Sequence, residues 1–150
     1  MRSVLNVLPM LLLMLAGCGG SSDPVEEFQT TPLTLPHGQQ IRVETMTKRE
    51  DMMKGMMFRD SMREDRGMLF VHGSPGLYPY WMYQMKIPLD MLWLDINKRV
   101  VEISADTPAC TGAASTCPSY GGHKRAVFVL ELKAGAAKKF GINVGDQMQF

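Results

Sequence analysis

Two closely spaced cysteines are the first residues in this sequence whose types and spacing could do chemistry. Cys110 and Cys117 enclose six residues. In an oxidising compartment such a pair predicts a disulfide, which in the chain-entropy model stabilises the fold by about 2 to 3 kcal/mol. A redox pair or a zinc site is the alternative, with His123 as a third ligand but no evident fourth. The spacing is not the C-x-x-C of a thioredoxin-like catalyst, and we predict neither a metal site nor a cofactor.

A second group of soft ligands is formed by methionines in the first half of the domain. Thioether sulfurs in such a cluster could bind Cu(I) in the cell envelope. Methionine is also an adaptable core filler that often replaces leucine, and packing is the interpretation we favour. The residues are Met46, Met52, Met53, Met56, Met57, Met62 and Met68.

Catalytic motifs that pair a nucleophile with a base are missing from the sequence, which has no G-x-S-x-G and no H-E-x-x-H. Three acidic residues follow one another closely, at Asp90, Asp95 and Glu102. They leave open an acid pair for glycoside hydrolysis, which needs two carboxyl groups about 5 to 10 Å apart. Carboxylates in hairpins are more often solvated turn residues. The histidines are scattered in predicted loops, at His37, His72 and His123.

The N-terminus has the pattern of a secretory signal. Arg2 precedes an apolar run over residues 4–16, which at about 1.5 Å per residue is too short to cross roughly 30 Å of hydrocarbon. The run ends in Leu15-Ala16-Gly17-Cys18, which resembles the lipobox of bacterial lipoproteins. Residues 1–17 are therefore expected to be removed as a signal peptide, and Cys18 to be lipidated. The alternative is an ordinary secretory signal with a chance cysteine.

The lipobox resemblance also implies a location in the cell. Several acyl chains on Cys18 would anchor the protein stably on a membrane. By resemblance to sorting rules in two-membrane bacteria, Gly19 after the cysteine indicates the periplasmic face of the outer membrane. Residues 18–36 are rich in Gly, Ser, Thr and Pro, and we predict a flexible tether there.

The length and composition of the chain limit how many domains it can form and which partners it can bind. With 150 residues and 45% hydrophobic content, it can build one domain with a core, predicted over residues 37–150. Sixteen Lys and Arg against fifteen Asp and Glu give a net charge of +1. That balance lacks the basic footprint of a nucleic-acid-binding protein, so we predict no nucleic-acid partner.

Hydrophobic periodicity predicts a mainly β fold, a small barrel-like or sandwich domain with two short helices. The capping-box spacing of Thr47 and Glu50 predicts a helix over residues 48–54, ended by Gly55. A second helix is predicted over 134–140, and a long loop over 106–124. Strands are predicted at 41–45, 68–71, 80–85, 91–94, 99–103 and 126–132 and after 146.

Several segments together resemble a known family. They are Gly55-Met56-Met57-Phe58-Arg59-Asp60, Gly67-Met68-Leu69-Phe70, Trp81-Met82, Ile87-Pro88-Leu89-Asp90-Met91-Leu92-Trp93-Leu94-Asp95, Pro108-Ala109-Cys110, Cys117-Pro118-Ser119-Tyr120-Gly121, Val129-Leu130-Glu131-Leu132 and Gly141-Ile142-Asn143-Val144-Gly145-Asp146. In this order they resemble the bacterial and archaeal family called domain of unknown function 192, from about residue 41 to the end. The resemblance implies a compact, mainly β domain, often secreted or lipid-anchored, with no established activity.

Four residues inside these motifs have side chains of types that bind small polar ligands by paired hydrogen bonds and stacking. They are Arg59, Trp81, Asp90 and Tyr120. They could equally form a structural network, in which a buried pair of Arg59 with Asp90 orders a loop and Trp81 packs in the core.

The function expected from these observations is binding. We predict a non-enzymatic, lipid-anchored envelope domain that holds a small ligand or a partner protein on a β scaffold. One alternative is an envelope hydrolase that acts on cell-wall or carbohydrate material through acidic residues. The other is a structural stabiliser of the envelope.

Overall fold

The computed structural model describes residues 29–150, and within that range the chain is mainly β with two short helices, as predicted. The predicted signal peptide and the predicted lipid attachment at Cys18 lie outside the described residues. No helix within the described range is both long and apolar enough to cross a bilayer. The elements are β1 (Thr30–Thr34), β2 (Gln40–Met46), α1 (Arg49–Lys54), β3 (Arg66–Gly76), β4 (Tyr80–Trp81), β5 (Leu89–Leu94), β6 (Val100–Thr107), a 3-10 turn (Ala114–Thr116), β7 (Ser119–Tyr120), β8 (Ala126–Lys133) and α2 (Ala136–Lys139).

Six strands form one sheet in the order β1-β2-β3-β8-β5-β6, and β4 pairs with β7 in a second, two-stranded sheet. Only β2 and β3 run parallel to each other in the larger sheet. A parallel pair needs a crossover between its strands, and here the crossover contains α1. The larger sheet is not a closed barrel, so of the two predicted architectures the sandwich-like one fits.

Side chains alternate along the strands, so the large sheet buries a core on each face. We call one the leucine face; it is packed by Leu33, Ile41, Val43, Leu69, Leu92, Leu94, Leu130 and Leu132 and covered by α2. We call the other the methionine face; it is packed by Met46, Met56, Met62, Met68, Phe70, Met82, Met85, Met91, Trp93 and Val129. Because apolar residues cover both faces of the sheet, β5 is buried at every position.

The ordered domain begins earlier than predicted. We expected a flexible tether through residue 36, but residues 30–34 form β1, which pairs with β2. Leu33 and Leu35 are fully buried against the leucine face. The Thr and Pro content of this segment resembles that of a linker, and only the pairing with β2 turns it into an edge strand.

Local signals placed the helices correctly but misassigned one cap. Lys48, not Thr47, is the N-cap of α1, and no side chain caps the helix, so the predicted capping box is wrong. Gly55 ends the helix with a φ of 47°. The strand predicted over 80–85 shortens to β4, because Gln84 has a φ of 57° that strand geometry does not allow.

The chain after residue 145 does not form the predicted final strand. It forms isolated β-bridges at the two opposite edges of the sheet. Thr34, at the end of β1, exchanges two backbone hydrogen bonds with Gln149, at 2.9 and 3.0 Å. A few residues earlier, the carbonyl of Asp146 accepts a hydrogen bond of 2.8 Å from the amide of Val100, at the start of β6. The segment 145–149 therefore contacts both edge strands of the six-stranded sheet.

Candidate functional site

A cleft of about 290 Å³ opens beside α1, next to the methionine face. Its walls come from α1, from the second half of β3 and from β4 with the residue before it. Most of the lining is apolar, and two of its residues, Arg49 and His72, have basic side chains. The lining residues are Arg49, Met52, Met53, His72, Pro79, Tyr80 and Trp81.

The first wall is α1, which is held to the domain by Met56. That side chain, two residues after the end of the helix, is buried in the methionine face, and Met52, inside the helix, packs partly against the same cluster. Met53 points away from the core and is 66% exposed. Arg49 is also exposed, and within residues 29–150 its guanidinium has no ion pair or hydrogen bond. The helix therefore presents thioethers and one free cation to the cleft.

The second wall is the part of β3 where its pairing with β8 is interrupted, between Val71 and Gly76. His72 lies in this irregular stretch. Its ring stacks on Tyr78, with centroids 3.6 Å apart, and its Nε2 lies 3.1 Å from the Tyr80 hydroxyl. Burial lowers the pKa of His72, so its imidazole is neutral at neutral pH.

Aromatic rings form the floor of the cleft. Tyr80 makes edge-to-face contacts with Phe70 and Trp93, at centroid distances of 5.2 and 6.0 Å. The Trp93 indole N–H donates a 2.7 Å hydrogen bond to the Tyr78 carbonyl. Burial raises the pKa of Tyr80, so its hydroxyl stays protonated. The floor is therefore a packed, neutral cluster.

Two glycines allow the chain after β7 to pack directly against this cluster. A Cβ on Gly121 would lie 2.3 Å from the Trp93 ring, and one on Gly122 would lie 2.5 Å from the backbone nitrogen of Pro79. Both glycines have positive φ, 59° and 74°, a region that favours glycine. No larger residue would fit at either position without moving the floor or the wall of the cleft.

The predicted disulfide between Cys110 and Cys117 is present, and it stands close to the cleft. The amide of Cys110 donates a 2.9 Å hydrogen bond to the carbonyl of Met82, and its carbonyl accepts one of the same length from Gln84. The disulfide-closed loop is thus attached to the chain immediately after Trp81. It fixes the β4 end of the cleft.

The four predicted site residues do not form one constellation. Trp81 is not in the core but 44% exposed on the cleft, where its ring lies 5.1 Å from that of Tyr83. Tyr120 lies in β7, where it pairs with Tyr80, and it packs partly against the methionine face and not into the cleft. Of the four, only Trp81 lines the cleft.

The predicted pair of Arg59 with Asp90 is wrong. Arg59 is buried and forms a two-pronged ion pair with Glu44, at 2.5 and 2.8 Å. Asp90 faces the leucine face instead, and its carboxylate accepts hydrogen bonds from backbone amides. The donors are Asp106 at 2.7 Å, Gly135 at 3.2 Å and Ala137 at 2.7 Å. Asp90 therefore fixes the start of α2, and Arg59 fixes the loop after α1.

A buried carboxyl group beside this ion pair was not anticipated from the sequence. The strand registers place Glu44, Met68, Glu131 and Met91 in one row across the sheet. Glu131 is fully buried, and its Oε2 has no hydrogen-bond partner among the described residues. Burial raises its pKa to about 8, while the charge of Arg59 opposes part of that rise. The sequence did contain one signal for this buried carboxyl group. Glu131 is an acidic residue inside the apolar run 126–132, two positions after the inward-facing Val129, so both side chains point to the same face of the strand.

The three acidic residues considered for hydrolysis each have separate structural partners. Asp95 accepts hydrogen bonds from the amides of Asn97 and Arg99 inside the β5–β6 turn, at 2.8 and 2.9 Å. Glu102 binds the imidazole and the backbone amide of His123, at 2.6 and 3.0 Å. The remaining residue, Asp90, holds α2. No observation favours a shared acid pair.

The methionines fall into two sets. The packing interpretation holds for four of the seven, Met46, Met56, Met62 and Met68, which are buried in the methionine face. Met57 packs partly against that cluster. Within residues 29–150 no group of three or more His, Cys, Asp and Glu side chains could hold a metal ion. Met52 and Met53 remain as the methionines that line the cleft.

Comparison with known proteins identifies the family of this chain. The model of the DUF192 family, described as an uncharacterized ACR, matches residues 33–150. The chain belongs to the DUF192 family. No curated protein matches it.

Solved structures of similar fold exist for this DUF192 domain. A protein of unknown function from Novosphingobium aromaticivorans DSM 12444 is 28% identical, with a TM-score of 0.74 over 85% of this chain and 89% of that one. A protein from Sinorhizobium meliloti 1021, described as a "putative transcription regulator", is also 28% identical, with a TM-score of 0.68 over 79% of this chain and 89% of that one. These similarities support the fold.

Proposed function

We propose that this DUF192 protein is a non-enzymatic binding domain that holds a small ligand in the cleft beside α1. The observation that carries the proposal is the convergence of exposed apolar side chains, Met53 and Trp81, on a concave surface that also holds His72 and Arg49. Single exposed apolar residues are ordinary. Apolar residues that line a concavity with a few polar groups are typical of ligand sites.

The size and stiffness of the cleft support the same function. A volume of about 290 Å³ is near the lower end for ligand pockets, which favours a small ligand. The floor is a locked aromatic cluster, and the Cys110–Cys117 disulfide fixes one end. A site that is already formed loses little conformational freedom when it binds.

We further propose that the domain is lipid-anchored through Cys18 at the periplasmic face of the outer membrane. The lipobox-like sequence before Cys18 supports the anchor. A disulfide agrees with an oxidising compartment. A net charge of +1 gives no electrostatic footprint for nucleic acid, so we propose no transcriptional role for this chain.

The test is mass spectrometry of the full chain, produced in an oxidising periplasm and purified in detergent. Native spectra should show a reproducible extra mass that disappears on denaturation. The Met53→Ala, Trp81→Ala double variant should lose that mass. Ile96→Ala, at an exposed apolar residue in the β5–β6 turn, is the matched control and should keep it. A bare polypeptide in the wild type, or a mass that the double variant retains, would rule out the cleft as the site.

A further inference from the structure

We propose that the ligand of this cleft is a soft monovalent metal ion, Cu(I), held by the thioether sulfurs of Met52 and Met53 and an imidazole nitrogen of His72. The inference rests on the proposed function, since it names the ligand class for the same cleft. Thioether and imidazole donors suit Cu(I). Here they come from two elements, α1 and β3, that face one cavity.

The two methionines at the cleft differ from those of the core. Met46, Met56, Met62 and Met68 fill the core, where a thioether needs no other role. Met53 is 66% exposed and does not belong to that core. Met53 and its half-buried neighbour Met52 both line the cleft, so their sulfurs lie at the same cavity as His72.

His72 is oriented by its neighbours. It is half-buried at the wall of the cleft, in the stretch where the pairing of β3 with β8 is interrupted. Ligating histidines are usually oriented by a hydrogen bond from the other ring nitrogen. The contact of Nε2 with the Tyr80 hydroxyl, at 3.1 Å, supplies such a bond when Nε2–H is the donor. Nδ1, which has no hydrogen-bond partner among the described residues, then carries the free lone pair.

The remaining lining residues of the cleft favour a soft cation over a hard one. Within the described part of the chain the cleft is lined by no Asp or Glu, so it lacks the oxygen ligands that Mg²⁺ and Ca²⁺ require. It offers the rings of Tyr80 and Trp81 instead, whose faces attract cations. The donor set therefore excludes hard cations and favours a soft one.

Arg49 is the one group that opposes a cation, and it provides the means to separate two ligand classes. Its guanidinium is exposed at the cleft, where water and salt screen its charge. An anionic organic ligand would use Arg49 as its counter-ion. Cu(I) would not, so Arg49→Gln, which removes a like charge from the cleft, should make Cu(I) binding tighter.

The experiment is an anaerobic titration of the full chain with Cu(I), in competition with a chromogenic Cu(I) chelator. Ag(I), which does not change oxidation state, is titrated in parallel with tryptophan fluorescence as the readout, because Trp81 lines the cleft. We expect one ion per chain. Met52→Leu, Met53→Leu, which keeps apolar volume and removes both sulfurs, should weaken binding at least about tenfold, the scale seen when even outer groups of a metal site are lost. Met57→Leu, outside the cleft, is the matched control and should bind as the wild type does.

Each outcome decides between the proposals. Failure of the wild type to bind one Cu(I), or equal binding by the double leucine variant, overturns the metal assignment. If a co-purified organic mass is then lost in Arg49→Gln and retained in the double leucine variant, the cleft is a ligand site of another class and the proposed function stands. If neither Cu(I) nor any co-purified mass is bound, both proposals fail.

Discussion

Arg59 and Glu44 form a two-pronged ion pair inside the domain, with N–O distances of 2.5 and 2.8 Å and both side chains buried. The arginine belongs to the loop after α1, and the glutamate belongs to β2. The pair therefore ties the segment that follows the cleft helix to β2, the strand next to one edge of the sheet. It also places a positive charge near the buried carboxyl of Glu131.

Arg59→Met is expected to lower the free energy of unfolding by about 3 to 5 kcal/mol, because it leaves Glu44 buried without a partner. Urea unfolding followed by tryptophan fluorescence measures the change. Lys86→Ala is the control, since it removes an exposed pair with Asp60 and should cost less than about 1 kcal/mol. Equal, small losses in both variants would contradict a structural role for the buried pair.

Glu131 should make the domain less stable as pH rises. Its pKa is about 8 in the folded protein against an ordinary 4.5, so the folded state binds the proton more tightly than the unfolded state. The stabilisation is complete below about pH 4.5 and is lost as pH rises through about 8. Glu131→Gln mimics the protonated form and should flatten this dependence. The measurement is the free energy of unfolding at intervals from pH 5 to pH 9, and parallel curves for wild type and variant would refute the prediction.

Asp90→Asn tests whether this carboxylate is structural. The change replaces one acceptor oxygen with an NH₂ group facing backbone N–H donors, in a site with no exposure. Loss of charged hydrogen bonds of this kind should cost about 2 to 3 kcal/mol. Asp146→Asn is the control, because Asp146 accepts one bond from the exposed Asn143 amide, and its cost should be smaller. An Asp90 variant with unchanged stability would reopen a chemical role for the residue.

Gly121→Ala should damage the floor of the cleft. Its Cβ would meet the Trp93 ring at 2.3 Å, and overpacking in a core typically costs about 1 to 3 kcal/mol. Gly73→Ala is the matched control, since Gly73 also has a positive φ, 73°, but nothing lies within 4 Å of the added Cβ. The difference between the two thermal unfolding midpoints isolates the clash. Identical midpoints would show that the ring moves away without cost.

Strands and helices with strong local patterns could be predicted from the sequence. The strands around Ile41, Leu92 and Val129 and the two short helices lie where alternation and glycine stops predicted them. The strand β1 could not be predicted, because its Thr and Pro residues look like a linker and its order comes from pairing with β2. A two-residue strand such as β4 likewise depends on a partner far away in sequence.

Site residues were harder to assign because residue type does not determine the partner. Arg59 was expected to pair with a carboxylate, and Asp90 was the candidate in the sequence. In the structure the partner is Glu44. The methionine run was recognised, yet only three-dimensional packing separates buried Met56 from exposed Met53. His72 belongs to the cleft because the ladder of β3 and β8 is interrupted there, and no local pattern signals that interruption.

The hydrogen bonds that segment 145–149 makes with β1 and β6 affect whether copies of the domain can associate through their sheet edges. An open sheet edge is a template for another chain, and ribbons of molecules can grow from it. Here Thr34 and Val100, one on each edge strand, are already paired within the chain, and Pro32 has no N–H to offer along β1. Neighbouring molecules should therefore remain separate, even if the proposed lipid anchor concentrates them on one membrane surface.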